Sequence, residues 1–78
     1  MDKIRYTNLK EKHNDCIILE NEGCFLTSWF DDAKLVAEVL HLTVTTVGAD
    51  RAICAFPIGA LDSYLPKLIR SGCKVVIV

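Results

Sequence analysis

The side chains that could do chemistry in this 78-residue chain are few and scattered. Its two imidazoles, His13 and His41, fall near expected helix ends, where they can meet the last carbonyls; two histidines do not make a metal site without help. Cys16, Cys24, Cys54 and Cys73 contain no Cys-x-x-Cys spacing, so neither a zinc knuckle nor a dithiol redox site is supported. Asp31 and Asp32 are adjacent, and neighbours on a helix do not face each other, so helix capping explains them better than paired acid–base work. Ser28, Ser63 and Ser71 lack a Gly-x-Ser-x-Gly setting. No phosphate-cradling Gly-rich loop is present. The expectation is a protein that binds rather than catalyses, with no cofactor and no metal.

The residues left for binding are aromatic. Phe25 and Trp29 lie four apart, which in a strand puts both on one face. Trp29 reads as core. Phe25 follows Gly23-Cys24 near an expected hairpin tip. The pattern leaves it open between core and exposure, where it would suit stacking on a base or a partner.

The elements that must position these aromatics follow from periodicity. Ile4 to His13 reads as a short helix with Tyr6, Leu9 and Ile4 toward the core. Cys16–Leu19 is a continuous apolar run, expected as a strand buried on both faces. Asn21-Glu22-Gly23 is turn chemistry, and Cys24–Trp29 is the strand that returns. Asp31 or Asp32 is expected to cap the next helix, whose Ala33, Val36, Ala37 and Leu40 make one apolar stripe ending near His41. Thr43–Val47 and Arg51–Phe56 form a second hairpin around Gly48-Ala49-Asp50, with Pro57 ending the ladder. Leu61, Leu65, Leu68 and Ile69 mark a third helix. Pro66 is harmless there if Ser63 is the cap, after a tight start at Ala60–Ser63. Ser71-Gly72 stops it, and Lys74–Val78 is a last buried strand. The order α-β-β-α-β-β-α-β implies one α/β domain over residues 1–78, a mixed sheet with helices packed on it.

Length permits no more than one domain. A hydrophobic content of 51% is what so small a core needs and excludes a disordered chain. The start, Met1-Asp2-Lys3-Ile4-Arg5, has no apolar signal region, and no stretch is long enough to span a membrane. A cytoplasmic setting with buried, reduced thiols is expected. The net charge of −1 argues against tight autonomous nucleic-acid binding. It is unevenly spread. Residues 1–12 carry Lys3, Arg5, Lys10 and Lys12 against Asp2 and Glu11. Residues 51–78 carry Arg51, Lys67, Arg70 and Lys74 against Asp62. Residues 13–50 carry Lys34 alone against seven acids, Asp15, Glu20, Glu22, Asp31, Asp32, Glu38 and Asp50. The two ends could share a basic face; the middle could not.

Several stretches taken in order resemble a known family. They are Tyr6-Thr7-Asn8-Leu9-Lys10-Glu11-Lys12-His13, Gly23-Cys24-Phe25, Phe30-Asp31-Asp32-Ala33-Lys34, Leu40-His41-Leu42-Thr43-Val44-Thr45, Phe56-Pro57 and Leu61 through Val75. Together the chain resembles the N-terminal mismatch-recognition domain, domain I, of the MutS mismatch repair family. The resemblance covers nearly the whole chain and implies that family's mixed α/β fold. It also implies a reading segment, Gly-Asp-Phe-Tyr-Glu in the family, whose phenylalanine wedges beside a mispaired base from the minor groove and whose glutamate hydrogen-bonds it. Here the segment is Gly23-Cys24-Phe25-Leu26-Thr27. Phe25 falls on the wedge position. Thr27 stands where the family has glutamate and cannot copy that contact. Asn21-Glu22 stands where the family has an arginine, and the loop from Val47 to Arg51 is short. The family's connector, lever, clamp and ATPase parts are absent from this sequence, which is expected to be a fragment or a freestanding relative.

Two functions follow. The resemblance implies a module for mismatched duplex DNA, related to mismatch repair, with Gly23, Phe25 and Thr27 as its DNA-binding residues. The alternative is a diverged protein-interaction or regulatory domain that keeps the fold and has lost the reading. A homodimer through the apolar last strand is one form of it.

Overall fold

A computed structural model describes residues 1–48 and 51–78 of the chain. The expected turn at Gly48-Ala49-Asp50 therefore falls largely outside the described residues. The elements are α1 (Lys3–Lys12), β1 (Cys16–Glu22), β2 (Phe25–Trp29), α2 (Phe30–Leu40), β3 (Thr45–Val47), β4 (Arg51–Pro57), a 3₁₀ turn (Ile58–Ala60), α3 (Leu61–Arg70) and β5 (Lys74–Ile77). They form the expected mixed α/β architecture. The five-stranded sheet has the order β3-β4-β2-β1-β5, with β5 parallel to β1 and every other pair antiparallel.

Register fixes what each face of the sheet does, because partners on neighbouring strands point the same way. On one face Ile17, Leu19, Leu26, Ala52, Cys54 and Phe56 meet Ala33, Val36, Ala37 and Leu40 of α2 and Leu68 of α3. This is the core, and each of its large side chains contributes about 1.5–3 kcal/mol by leaving water. Tyr64 of α3 stands edge-on to Phe56, with ring centroids 5.1 Å apart. Ser28 points into the same layer, fully buried, and donates to the Cys54 carbonyl at 2.7 Å. The opposite face is served by α1. Ile18 is 1% exposed there, Tyr6 packs on Phe30 with centroids 4.9 Å apart, and Arg5 reaches Glu20 at 2.6 Å. Cover on both sides is why Ile17, Ile18 and Leu19 are buried in succession.

Some expectations need correction. Ile4 is 76% exposed; one turn of α1 turns only Tyr6 fully inward. Neither Asp31 nor Asp32 caps α2. Trp29 occupies that position and makes no side-chain cap bond, while the two carboxylates lie in the first turn, where they still favour the positive end of the helix dipole. Ser63 does not cap α3. The 3₁₀ turn comes earlier, at Ile58–Ala60, and the α-helix starts at Leu61. The chain must turn directly after Pro57 to bring Tyr64 onto Phe56, which leaves Pro66 inside the helix with its ring exposed. β5 is an edge strand rather than a buried one, with Ile77 48% exposed. All four cysteines are free thiols, but only Cys54 is fully buried, and Cys24 is exposed. Burial pushes the Cys54 thiol above its ordinary value. Trp29 is half-buried rather than core, although its Nε1 is buried. α2 does end at His41, in the left-handed region at φ 57°. α3 does stop at Ser71-Gly72, where the Cys73 amide donates back to the Leu68 carbonyl at 3.1 Å.

Candidate nucleic-acid interface

The hairpin between β1 and β2 is tighter than the sequence suggests. Asn21 and Glu22 belong to β1, and the loop is Gly23-Cys24 alone, closed by the pair Glu22↔Phe25. A two-residue loop between right-twisted strands needs positive φ at its first residue. Gly23 supplies it at φ 67°. The next strand locks this tip from the other side. Phe25 pairs with Pro57, and the Ile58 amide donates to the Cys24 carbonyl at 2.8 Å.

The result is a row of three residues across the end of the sheet, Glu22 on β1, Phe25 on β2 and Pro57 on β4, all on the α1 face. Phe25 is 50% exposed and Ile58, beside it, 43%. Glu22, Cys24 and Pro57 are exposed as well. An aromatic ring is thus held out from a rigid sheet end, its backbone fixed by ladders on both sides. Such a projecting apolar edge can enter a stack of bases or a pocket on a protein.

The next row inward behaves differently. Thr27 lies between Glu20 of β1 and Ala55 of β4 and is only 5% exposed. Beside it, Glu20 takes the Arg5 guanidinium and lies 3.7 Å from the Met1 amino group. The sequence-predicted residues therefore separate. Gly23 and Phe25 share the tip, and Thr27 lies two residues inward beneath the surface.

Charge around the site also departs from expectation. The two ends do not make an unopposed basic face, because acids of the middle segment fold against them. Arg5 pairs with Glu20, Lys10 with Asp32 at 3.0 Å, and Lys74 with Asp15 at 2.9 Å. The Lys74 ammonium beside Asp15 holds that carboxyl below its usual range, and Asp15 in turn raises Lys74. Lys3 lies over the Phe30 ring, 4.5 Å from its centroid.

Two residues that matter here were missed by the sequence reading. Asp32 is 5% exposed; it accepts from the Ile18 amide at 3.1 Å and from Lys10, tying α1 and α2 to β1. Its only sequence signal was its place in a first helical turn. Glu22 read as turn chemistry, and only the strand register puts it opposite Phe25. Among the described residues no group of three or more histidines, cysteines and acids could hold a metal ion, and no helix is long and apolar enough to cross a membrane.

Comparison with known proteins gives one result. The family model described as MutS domain I matches residues 3–78. The DNA mismatch repair protein MutS of Salinibacter ruber is 44% identical over 77 residues, covering 94% of this chain and 8% of its own length. The MutS protein of Methanococcoides burtonii is 40% identical over 78 residues, covering 94% and 9%. That of Parabacteroides distasonis is 42% identical over 77 residues, with the same 94% and 9%. The chain spans less than a tenth of the length of these curated relatives.

Proposed function

The chain belongs to the MutS family through its domain I, and from that premise we propose that it is a non-catalytic module for duplex DNA at mismatched sites. Phe25 is its wedge. Gly23 makes the turn that presents the ring, and Thr27 supports the strand beneath it, out of reach of a base. Duplex DNA is the partner, and the cytoplasm, where such DNA is met, is its place of work.

One observation carries this: Phe25 is half exposed on a hairpin tip held by ladders on both sides, and the resemblance to the family puts the wedge at this residue. Partial intercalation costs a few kcal/mol per unstacked step. That cost is smallest where pairing is already broken, so a wedge selects deformable sites without reading every base. The Ile58 and Pro57 side chains widen the apolar edge that would rest against the opened step.

The test is fluorescence anisotropy of the chain with matched and mismatched duplexes at low salt, beside Phe25→Ala. Base–aromatic stacking of about 1–3 kcal/mol predicts that Phe25→Ala loses about fivefold to about a hundredfold in mismatch affinity. No mismatch preference in the parent chain would refute the reading. A specific observation favours the alternative, a protein-interaction domain. The cations that would meet phosphates are partly spent on Glu20, Asp32 and Asp15, and the β5 edge is open with Ile77 exposed. Self-association that persists at high salt would support it, because apolar pairing does not weaken with salt as phosphate contacts do.

A further inference from the structure

We propose that the groove between α2 and α3 is a docking site for an acidic amphipathic helix of a partner protein, whose apolar stripe lies on Leu35 and Val39 and whose carboxylates meet Lys67 and Arg70. This is a second surface, and it does not rest on the DNA reading. Phe25 stands on the α1 face of the sheet, while α2 and α3 cover the other face.

The sequence builds this groove from the flanks of two buried stripes. On α2, Ala33, Val36, Ala37 and Leu40 turn to the sheet, which leaves Leu35 and Val39, four apart, along one edge of the helix. On α3, Leu68 is fully buried, and Lys67 and Arg70, three apart, stand together on the flank toward α2. Between the helices lies a groove of about 580 Å³, open to solvent. Leu35 is 39% exposed in it, and Val39 is half-buried. Glu38 lines it from the α2 side. Glu38, Lys67 and Arg70 are exposed, and among the described residues none of them enters an ion pair; Arg5, Lys10 and Lys74 are each met by an acid of this chain. Lys67 has only the Tyr64 ring near it, 5.9 Å from the centroid. A place in the last turn of α3 suits both cations to the helix dipole. That accounts for the charges, but not for the open apolar floor beside them.

Charge complementarity names the occupant. Two cations side by side on one wall call for carboxylates, and the single acid on the other wall, Glu38, calls for a base. The floor between them is apolar. A helix with two large apolar side chains at i and i+4, acids along one flank and a lysine or arginine along the other matches all three features. Its period is also that of the groove: Leu35 and Val39 lie about 6 Å apart along α2, one turn, as do the anchors of a helix laid beside them. Packed there, it would add a third helix to this layer and bury the Leu35 side chain that folding leaves wet. Nucleic acid fits less well. Phosphates are held by a run of cations, whereas here Glu38 opposes them and Leu35 and Val39 offer only apolar surface.

The probe is a fluorescein-labelled, alanine-rich helical peptide with two leucines four apart, glutamates along one flank and one lysine along the other. A second peptide carries lysines in place of the glutamates. Anisotropy compares the two on the parent chain, on the double variant Lys67→Glu with Arg70→Glu, on Leu35→Gln and on Phe25→Ala. Circular dichroism melting checks that each variant folds, and Lys67→Gln with Arg70→Gln replaces the charge reversal if that one does not. The parent is expected to prefer the glutamate peptide. The double variant should bind it about tenfold more weakly, since two ion pairs become two repulsions, each worth a few-fold, and should prefer the lysine peptide instead. Leu35→Gln should weaken the glutamate peptide, and Phe25→Ala should not. A parent without that preference, or a double variant that binds like the parent, overturns the inference. So does binding that Leu35→Gln leaves intact, because charge alone would then hold the peptide. Binding abolished by inorganic phosphate but not by sodium chloride of equal ionic strength would make the groove a small-anion site, and displacement of the peptide by duplex DNA would put α3 in the DNA interface; either result also overturns it. Failure of the mismatch test at Phe25 refutes the DNA reading and leaves this proposal standing.

Discussion

Asp32→Ala should cost this fold about 3 kcal/mol, a large share of its stability. The carboxylate is buried where three elements meet: α2 carries it, β1 presents the Ile18 amide 3.1 Å from one oxygen, and α1 brings the Lys10 ammonium within 3.0 Å of the other. Removing it leaves the Ile18 N–H buried without a partner, which costs about 1–3 kcal/mol. The first turn of α2 loses a favourable charge, about 0.3–1 kcal/mol. The Lys10 contribution is small by comparison, about 1 kcal/mol or less. Its side chain is 27% exposed and can turn to water, and its bond to the Cys16 carbonyl at 2.6 Å survives. A domain of this length has about 4–12 kcal/mol in total. Asp32→Asn separates the terms. Its amide oxygen still accepts from Ile18, so only the charge is lost, and the cost should fall to about 1 kcal/mol. A double-mutant cycle with Lys10→Met isolates the ion pair. The assay is urea unfolding followed by the single tryptophan, Trp29, with unchanged m-values as the check on two-state behaviour. If Asp32→Ala costs less than about 1 kcal/mol, or no more than Asp32→Asn, the buried amide is not what Asp32 serves.

Two further predictions use other groups. Cys24 is exposed beside Phe25 while Cys54 is buried with its thiol pushed up, so a thiol reagent should modify Cys24 first and Cys54 last; saturating mismatched duplex should slow Cys24 alone, and equal slowing of all four thiols would point away from the tip. The Tyr6 hydroxyl is pushed up to about 12 by burial and by the nearby Asp32 and Asp31 carboxylates. An unfolded tyrosine ionises near 10, so the stability Tyr6 lends is complete below pH 10 and is lost as pH rises from about 10 to about 12; absorbance titration at the phenolate band with parallel melting checks this, and a Tyr6 midpoint near 10 would refute it.

The layers of this fold were legible in sequence because each rests on a local pattern. Cys16–Leu19 is apolar without alternation, and only a strand covered on both faces tolerates that. Ala33, Val36, Ala37 and Leu40 recur at helical spacing and lie against the sheet as the spacing requires. What the pattern could not supply was register. Asn21-Glu22-Gly23 has the composition of a turn, yet the turn falls on Gly23-Cys24, and the two-residue difference moves Glu22 from a loop to a place opposite Phe25. The same limit applies to charge. Counting along the chain sets basic ends against an acidic middle, but the sheet brings Glu20 to Arg5 and Asp15 to Lys74, so segment balances do not become faces. Thr27 is the instructive case. As a substitution it reads as the loss of a reaching carboxylate. In the fold it is a small β-branched side chain covered in the second row of the sheet, while a carboxylate stands in the first row on the neighbouring strand. β1 and β2 are paired residue for residue at the tip, so what stands beside Phe25 is decided by register and not by order along β2.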